Sequence, residues 1–475
     1  MRKGKILYTV AAAIMAAALI LTGCSKVSED LNTHLATENK ASNLSTTISL
    51  NRTTATIEGK GARVEGSVVT ILDAGEYTIS GELKDGQIVV DVSKKSKVKL
   101  IFDGVSIHSE TSAPLYVKQC EKCTITLNDG TTNTLSDSEG LVYDDSSEKE
   151  PNAALFCNGD LTFKGKGILS ITAAFNHAIR CKGKLSFKDG TYNITAKEDA
   201  IHSSKELIID DGVFNISCSD DAIHCDASLI VNYGTLNIEK CYEGLEALSV
   251  TINNGDIRIY AQDDGINAAG GDGSSEGSPF DFGKRDNPFA IREGAEILIN
   301  GGNLYVNAQG DGIDSNGDLL VNGGNIMVDG PTDGANGALD HNGDAIITGG
   351  TIVASGNSGM IECFGENSTQ NVLLVYFDGT IAAGSKVEVK DKDGGIVLTY
   401  SIAKKSQCAI LSCEKLVTGE TYTVYVNGEQ QAEITVDAVI SSNGDIPQGF
   451  GGPGGFGGPG GFGGPGEFGD GHKKP

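Results

Sequence analysis

The sequence predicts an all-β protein whose main part is a parallel β-helix, and three observations support this. Glycine accounts for 64 of the 475 residues, tryptophan is absent, and short runs of β-branched residues alternate with Asp-Gly, Asn-Gly and Gly-Gly turns. Each period has room for three short strands and lacks a helical segment, which favours β-helix rungs over other repeat folds. Turn glycines recur every 21 to 26 residues, apart from one interval of 47, at Gly190, Gly212, Gly234, Gly255, Gly302, Gly324 and Gly350.

The repeat divides the chain into regions. Less regular strand-like segments precede the rungs, so we assign residues 46–365 to the β-helix, with a surface loop rich in Gly, Ser, Asp and Pro at 270–293. Alternating apolar residues predict a small antiparallel, sandwich-like β domain at 366–440. The last segment, 441–475, repeats Gly-Gly-Pro-Gly-Gly-Phe, so we predict that it is disordered.

The N-terminus has the features of a lipoprotein signal peptide over residues 1–23. A basic start precedes an apolar run that ends in the lipobox Leu21-Thr22-Gly23-Cys24. We predict lipidation at Cys24, a linker over 24–45, and a location on the extracellular face of the bacterial cell membrane, to which the lipid anchors the chain. An uncleaved anchor helix is the alternative.

The formal net charge of −26 limits the partners of the protein. Nucleic acid and anionic lipid surfaces would be repelled, so we exclude nucleic acid as a partner. A cation, or a ligand bound through cations, fits this charge better. Because tryptophan is absent, sugar stacking would depend on tyrosine or phenylalanine.

One column of the repeat is acidic. Each rung carries a small residue followed by an aliphatic residue, such as Ala200-Ile201, and an acid directly precedes this pair on five rungs: Asp199, Asp221, Glu243, Asp264 and Asp311. Further acids lie directly before or shortly after this column: Glu198, Asp220, Asp263, Glu246, Asp314 and Asp340. Like charges about 5 Å apart repel by roughly 1 kcal/mol in water and about 3 kcal/mol when partly buried.

A hard divalent cation would remove this repulsion, so we predict calcium between the rungs, held by carboxylates of the acidic column and its neighbours. The alternative is a solvated acidic face that prevents edge-to-edge aggregation. His202 and His224 share one column and offer, with Asp199 or Asp221, a weaker nitrogen and oxygen metal site; two stacked surface histidines are the simpler interpretation.

Several motifs between residues 46 and 365 resemble a known family, the carbohydrate-binding-domain family of right-handed β-helix lipoproteins described from cellulolytic clostridia. The motifs are Gly75-Glu76-Tyr77-Thr78-Ile79-Ser80-Gly81, Asp85-Gly86-Gln87-Ile88, Lys99-Leu100-Ile101-Phe102-Asp103-Gly104-Val105, Ser112-Ala113-Pro114-Leu115-Tyr116-Val117, Gly130-Thr131-Thr132-Asn133-Thr134-Leu135 and Gly310-Asp311-Gly312-Ile313-Asp314. The resemblance implies a right-handed, pectate-lyase-like fold and calcium-dependent binding of cellulose-like or polygalacturonate-type polysaccharide without catalysis. His177-Ala178-Ile179 and Glu243-Gly244-Leu245 depart from the usual Asp-Gly-Ile rung, which weakens the expectation of calcium there.

Three functions remain open at this stage. The first is a non-catalytic binding protein for an acidic, plant-type polysaccharide, with calcium as the cofactor. The second is a calcium-dependent polysaccharide lyase, for which Arg180, Lys182, Lys197 and Arg258 are the candidate bases near the acidic column. The third is a structural surface spacer or adhesin without affinity for glycans.

Overall fold

The structure is a computed structural model, and it describes residues 45–140, 150–269, 290–334 and 336–446. In these ranges every regular element is a β-strand. No helix long and apolar enough to cross a membrane occurs in the described part of the chain. The predicted signal peptide, Cys24, most of the 270–293 loop and the 447–475 part of the tail lie outside the described residues.

Ten strands form the irregular first coils: β1 (Ser45–Arg52), β2 (Ala55–Glu58), β3 (Ala62–Glu65), β4 (Val68–Ile71), β5 (Gly75–Leu83), β6 (Gln87–Asp91), β7 (Lys97–Ser109), β8 (Leu115–Gln119), β9 (Lys122–Leu127) and β10 (Thr132–Asp137). The antiparallel pairs β1–β2 and β3–β4 lie at this end of the helix. Beyond β4, the strands of these coils pair in parallel with strands of the next coil.

The regular rungs are built by 22 strands: β11 (Ala153–Cys157), β12 (Asp160–Lys164), β13 (Ile168–Ala173), β14 (His177–Cys181), β15 (Leu185–Phe187), β16 (Thr191–Ala196), β17 (Ile201–Ser203), β18 (Glu206–Ile209), β19 (Val213–Ser217), β20 (Ile223–Val231), β21 (Thr235–Cys241), β22 (Leu245–Ile252), β23 (Asp256–Ala261), β24 (Ile266–Ala268), β25 (Glu296–Ile299), β26 (Asn303–Ala308), β27 (Ile313–Ser315), β28 (Asp318–Val321), β29 (Asn325–Asp329), β30 (Leu339–His341), β31 (Ala345–Ile347) and β32 (Thr351–Gly356).

These strands form three parallel columns, so the chain is an all-β parallel β-helix, as the sequence predicts. One column contains β13, β16, β19, β21, β23, β26, β29 and β32. A second contains β11, β14, β17, β20, β22, β24, β27 and β30, and carries the predicted small-aliphatic pairs. The third contains β12, β15, β18, the ends of β20 and β22, β25, β28 and β31.

Apolar side chains stack inside the helix. The aliphatic residues of the small-aliphatic pairs, from Ile179 to Leu339, are all buried and aligned in register. Aromatic rings stack in the same way, with 4.9 Å between the centroids of Phe163 and Phe187 and 4.8 Å between those of Tyr192 and Phe214. Since each such side chain contributes roughly 1.5–3 kcal/mol on burial, these columns are the main source of cohesion between rungs.

The turns are also aligned. All seven predicted turn glycines have φ between +90° and +129°, a backbone region that glycine adopts without strain. Beside them, amide side chains hydrogen-bond from rung to rung, with donor–acceptor distances of 2.8 Å from Asn253 to Asn232, 2.8 Å from Asn300 to Asn253 and 2.9 Å from Asn322 to Asn300. This amide column links neighbouring rungs along the exposed side of the turns.

Seven strands follow the helix: β33 (Val372–Ile381), β34 (Lys386–Lys390), β35 (Ile396–Ser401), β36 (Ser406–Ser412), β37 (Thr421–Val426), β38 (Glu429–Thr435) and β39 (Ile440–Ser442). Four of them form an antiparallel sheet in the order β35-β34-β37-β38. This sheet shares an apolar core with β33 and β36. Because β36 pairs with β32, the second layer of this sandwich continues a sheet of the helix.

We predict that Gly302→Ala destabilises the protein more than Gly384→Ala. Both glycines have left-handed backbone angles, with φ of +90° and +81°, so both substitutions carry a similar conformational cost of about 1–2 kcal/mol. At Gly302 the new Cβ would also lie 2.7 Å from the carbonyl oxygen of Gly255 on the neighbouring rung, whereas at Gly384 nothing lies within 4 Å. Denaturant unfolding should therefore show an additional loss of at least about 2 kcal/mol for Gly302→Ala. Equal losses would contradict close rung packing at this turn.

Candidate metal-binding ladder

The acidic column is positioned by backbone hydrogen bonds between rungs. Each acid ends the turn before a strand of the second column, and its carbonyl oxygen accepts a hydrogen bond from the small residue one rung earlier. The N–H groups of Ala200, Ala222 and Gly244 donate in this way to Asp221, Glu243 and Asp264, at 2.9, 2.9 and 3.0 Å. The carboxylates are therefore fixed one rung apart.

The small residues are required by packing. A Cβ on Gly265 would lie 2.2 Å from Val306 Cγ1, and one on Gly312 would lie 2.2 Å from Val328 Cγ1. A larger residue would push the strand away from the core, and the preceding carboxylate would move with it. The chemistry of the outer surface thus depends on the inner packing.

A second polar column runs beside the first. It consists of the residues directly after the buried aliphatic of each rung, which pair in register: Arg180, His202, His224, Glu246, Asn267, Asp314 and Asp340. We call the two columns together the polar ladder; its first column is Asp199, Asp221, Glu243, Asp264 and Asp311. The ladder changes character along the helix, with histidines at the N-terminal end and only carboxylates and one amide toward the C-terminal end.

The carboxylate half brings Asp264, Asp311 and Asp314 together. One carboxylate oxygen from each lies within 4.8 Å of the others. Backbone groups hold two of them, since the Asp311 N–H donates to Asp264 Oδ1 at 2.6 Å and the Gly337 N–H donates to Asp311 Oδ1. Asp340 follows Asp314 in the second column.

Burial and mutual repulsion change the protonation of this half. Burial, followed by neighbouring carboxylates, raises the pKa of Asp264 to about 7, that of Asp311 to about 7 and that of Asp314 to about 8. The same causes raise the pKa of Glu243 to about 9. Among the described residues no cationic side chain forms an ion pair with these groups, so protons or a bound cation would neutralise them.

The carboxylate half fits a calcium ion. Three carboxylates offer up to six oxygens, and calcium takes six to eight oxygens in irregular geometry. A Cβ at residue 310 would lie 2.3 Å from Asp263 Oδ1 and 2.4 Å from Asp264 Oδ1. Only glycine therefore allows the backbone at this position to lie so close to the two carboxylates. One rung away, Asn267 is buried, and its Oδ1 has no hydrogen-bond partner while its Nδ2 donates to Glu243 at 3.0 Å.

The histidine half is neutralised by its own side chains. Asp199 Oδ2 lies 3.2 Å from His177 Nδ1 and 2.7 Å from His202 Nδ1. Burial alone would raise the pKa of Asp199, but hydrogen bonds from the two histidines outweigh it and hold this pKa well below its usual range. For Asp221, by contrast, burial is the largest influence on the pKa and raises it to about 8.

The predicted site residues differ in their placement. Asp199, Asp221, Glu243, Asp264, Asp311 and Asp314 each belong to a cluster of three groups able to hold a metal ion. Among the described residues, such clusters do not include Glu198, Asp220, Asp263 or Asp340. Asp220 and Asp263 flank the ladder, and Tyr242 lies between them. The Tyr242 N–H donates to the Asp220 carbonyl oxygen and the Asp263 N–H donates to the Tyr242 carbonyl oxygen, each at 2.9 Å.

Sequence reasoning missed some residues of the site and misplaced one. Asp226 contacts His202 and His224, although it does not fall in the acidic column that the repeat reveals. His177 occupies the position of that column on its rung and contacts Asp199, but the sequence shows it only as a departure from the Asp-Gly-Ile pattern. Arg258, proposed as a base near the ladder, lies on β23 in the first column of strands, where its guanidinium is 5.2 Å from the ring centroid of Tyr305. The repeat shows the period but does not show which of the three faces an individual side chain occupies.

We expect the stability of the metal-free protein to fall as the pH rises from about 5 to about 8. A carboxyl group whose pKa is raised on folding stabilises the folded state fully at a pH below its unfolded-state pKa of roughly 4. This contribution is lost as the pH rises through the folded-state pKa. For Asp264, Asp311 and Asp314 these values are about 7, 7 and 8. Urea unfolding at several pH values in the presence of a chelator should show a loss on the order of a few kcal/mol.

Two variants test the origin of this pH dependence. Asp314→Asn should flatten the profile, because it removes one of the titrating groups. Asp378→Asn, a change at an exposed position of β33, should leave the profile as it is. A profile that rises over this range, or that Asp314→Asn does not alter, would contradict the argument.

Comparisons with known proteins point to one family. A family model described as carbohydrate-binding domain-containing protein matches residues 65–334. A protein of the same description from Acetivibrio thermocellus is 41% identical over 137 residues, which cover 29% of this chain and 47% of that relative. The match thus spans about half the length of the relative.

A solved structure is also similar. It is described as the polysaccharide lyase-like protein from C. thermocellum, in a gadolinium derivative, and shares 29% sequence identity with a TM-score of 0.44, covering 46% of this chain and 92% of that one. The family model alone spans more than half of the 475 residues. The chain therefore belongs to the family of carbohydrate-binding domain-containing proteins.

Proposed function

We propose that this protein is an exported, lipid-anchored and non-catalytic binder of acidic polysaccharide, such as polygalacturonate, which it holds through calcium bound at the polar ladder. The observation that carries the proposal is the cluster of Asp264, Asp311 and Asp314, whose carboxylate oxygens lie within 4.8 Å of one another. The lipobox ending at Cys24 supports the location outside the cytoplasmic membrane.

Charge supports a cation-mediated contact. A chain with a formal net charge of −26 repels an acidic glycan unless a cation lies between them. Calcium at Asp264, Asp311 and Asp314 would keep coordination positions for water or for the carboxylate of a uronate sugar. The glycan carboxylate would thus complete a site that the protein only partly fills.

An aromatic side chain lies beside the ladder. Tyr242 is 46% exposed and immediately precedes Glu243. The nearby Asp263 carboxylate is the largest cause that raises the pKa of Tyr242 to about 12. A partly exposed tyrosine ring beside the ladder provides an apolar face for a sugar ring in a protein without tryptophan.

Two of the four candidate bases are poorly placed for β-elimination, which needs a free base beside the proton that is removed. Lys182 forms an ion pair with Glu150, and Arg258 belongs to a different column of strands. Arg180 Nη2 donates to Ser204 at 3.0 Å while its buried Nη1 has no hydrogen-bond partner, and Lys197 is exposed. A lyase would therefore depend on Arg180 or Lys197.

The first test is retention of the purified protein on polygalacturonate and on cellulose, with calcium and with chelator, while unsaturated sugar products are assayed. We expect calcium-dependent retention on polygalacturonate without product. Asp311→Asn and Asp314→Asn should weaken calcium binding at least about tenfold, because each removes a charged ligand. Asp378→Asn is the matched control and should bind like the parent protein.

Other outcomes of this experiment point to the other functions. Retention that survives the chelator would rule out calcium as the bridge. No retention on either glycan would favour a structural spacer. Release of unsaturated product would identify a lyase and direct attention to Arg180.

We further expect Tyr242→Ala to reduce glycan retention while calcium affinity stays unchanged. The ring would contribute on the order of 1 kcal/mol through stacking, or about a fivefold loss of affinity when it is removed. Tyr233→Ala is the control, since Tyr233 is 58% exposed but lies at a turn between the third and first columns of strands. Isothermal calorimetry measures both ligands, and equal losses for the two variants would argue against a specific platform.

A further inference from the structure

Two histidines of the polar ladder direct a nitrogen toward the same carboxylate. His202 and His224 are paired in register on neighbouring rungs, and their ring centroids are 4.2 Å apart. His202 Nε2 lies 2.9 Å from Asp226 Oδ1, and His224 Nε2 lies 3.3 Å from the same oxygen. Asp226 follows His224 by two residues, where the register of β20 with β22 shifts between Cys225 and Ser228.

The other nitrogen of each ring contacts an acid in the first column of the polar ladder. His202 Nδ1 lies 2.7 Å from Asp199 Oδ2, and His224 Nδ1 lies 2.9 Å from Asp221 Oδ2. A carboxylate at Nδ1 favours a proton on that nitrogen, so Nε2 is the atom that can bind a metal ion in exchange for its own proton. Histidines that ligate metals are generally oriented in this way.

One of these nitrogens has no hydrogen bond. His224 is 7% exposed, and its buried Nε2 makes no hydrogen bond, because the contact with Asp226 lacks the required geometry. A buried nitrogen without a partner is unfavourable. A cation between His202, His224 and Asp226 would satisfy it together with the facing carboxylate oxygen.

We propose that His202 Nε2, His224 Nε2 and Asp226 bind a divalent transition-metal cation of the zinc class, at a site separate from the calcium-type cluster of Asp264, Asp311 and Asp314. The three ligand atoms lie within 4.8 Å of one another. Tetrahedral zinc with bonds of about 2.0–2.1 Å places its ligands roughly 3.3 Å apart, close to the two distances to Asp226.

The ligand types distinguish this site from the carboxylate half. Imidazole nitrogen suits zinc, copper, iron or nickel, whereas calcium prefers oxygen alone. Three protein ligands leave a fourth position open, and the side chain of Asp226 is 27% exposed, so water or a sugar oxygen can reach it. Asp199 and Asp221 are positioning residues here, since each acts through a histidine.

The experiment uses the full chain after treatment with a chelator. Zinc and cobalt are titrated separately in the presence of excess calcium, which occupies oxygen-only sites. We expect one tightly bound metal ion per chain and the d–d absorption of tetrahedral cobalt. His202→Gln and His224→Gln should each weaken binding at least about a hundredfold, and Asp199→Asn about ten- to a hundredfold through loss of orientation. His108→Gln, at a histidine that hydrogen-bonds with Ser136 and Ser138 and lies outside the polar ladder, should leave binding unchanged.

A second variant guards against misfolding. His224→Cys keeps a metal ligand at this position and should retain cobalt, with an added thiolate-to-cobalt charge-transfer band. The proposal is wrong if the parent protein binds no stoichiometric zinc in excess calcium, or if both glutamine variants bind like the parent. It is equally wrong if Asp311→Asn abolishes zinc binding while the histidine variants keep it, because the ion would then lie in the carboxylate half.

Discussion

In-register parallel pairing places the same position of successive rungs one above the other, about 4.8 Å apart. Each side chain therefore has, as its nearest neighbours, the side chains at the same position of the adjacent rungs. Where the repeat keeps one residue type at a position, the column is a stack of like residues. For aliphatic, aromatic and amide columns this stacking is favourable, as the buried isoleucines and the hydrogen-bonded asparagines illustrate. For a column of acids it is unfavourable, and neither rotation nor slippage can separate the charges without disrupting the core.

The polar ladder shows two ways of meeting this cost. In the histidine half, imidazoles lie between the carboxylates; burial lowers the pKa of His224, but the nearby carboxylates of Asp221, Asp226 and Glu246 outweigh it and raise that pKa to about 12. In the carboxylate half, Asp311 and Asp314 form no ion pair with a cationic side chain among the described residues, and their raised pKa values of about 7 and 8 favour bound protons. A cation bound there would replace protons, whereas in the histidine half it would compete with positive charge that the protein already supplies.

Much of the fold could be predicted from the sequence because the repeat is short and its turn glycines are regular. The seven glycines, the small-aliphatic pairs and the acidic column all occupy the predicted places in the rungs. The second polar column was only partly recognised, since His202, Glu246 and Asn267 share no residue type that would mark them as one column. Their common position becomes visible only from strand register.

The errors have the same origin. Arg258 is close to the acidic column in sequence but lies on another face of the helix. All three faces of the helix repeat with the same period, so sequence spacing alone does not show which face a residue occupies. The approach of Asp226 to both histidines depends on the bend within β20, where the register shifts between Cys225 and Ser228. The continuity between helix and sandwich depends on the pairing of β32 with β36, two strands that are far apart in sequence.

The ladder also bears on why a binding role suits this architecture. From Asp199 to Asp311 the first column crosses five rungs, a straight track of about 19 Å between its ends at the usual strand spacing. Contacts repeated along such a track suit a linear polymer, because several modest interactions with one chain reinforce each other. Catalysis instead needs one place where a free base, a substrate clamp and a charge stabiliser converge. Here Lys182 is paired with an acid and Arg258 lies on another face, while the acids are distributed evenly along the track, and this even distribution suits the proposed binding of a polymer.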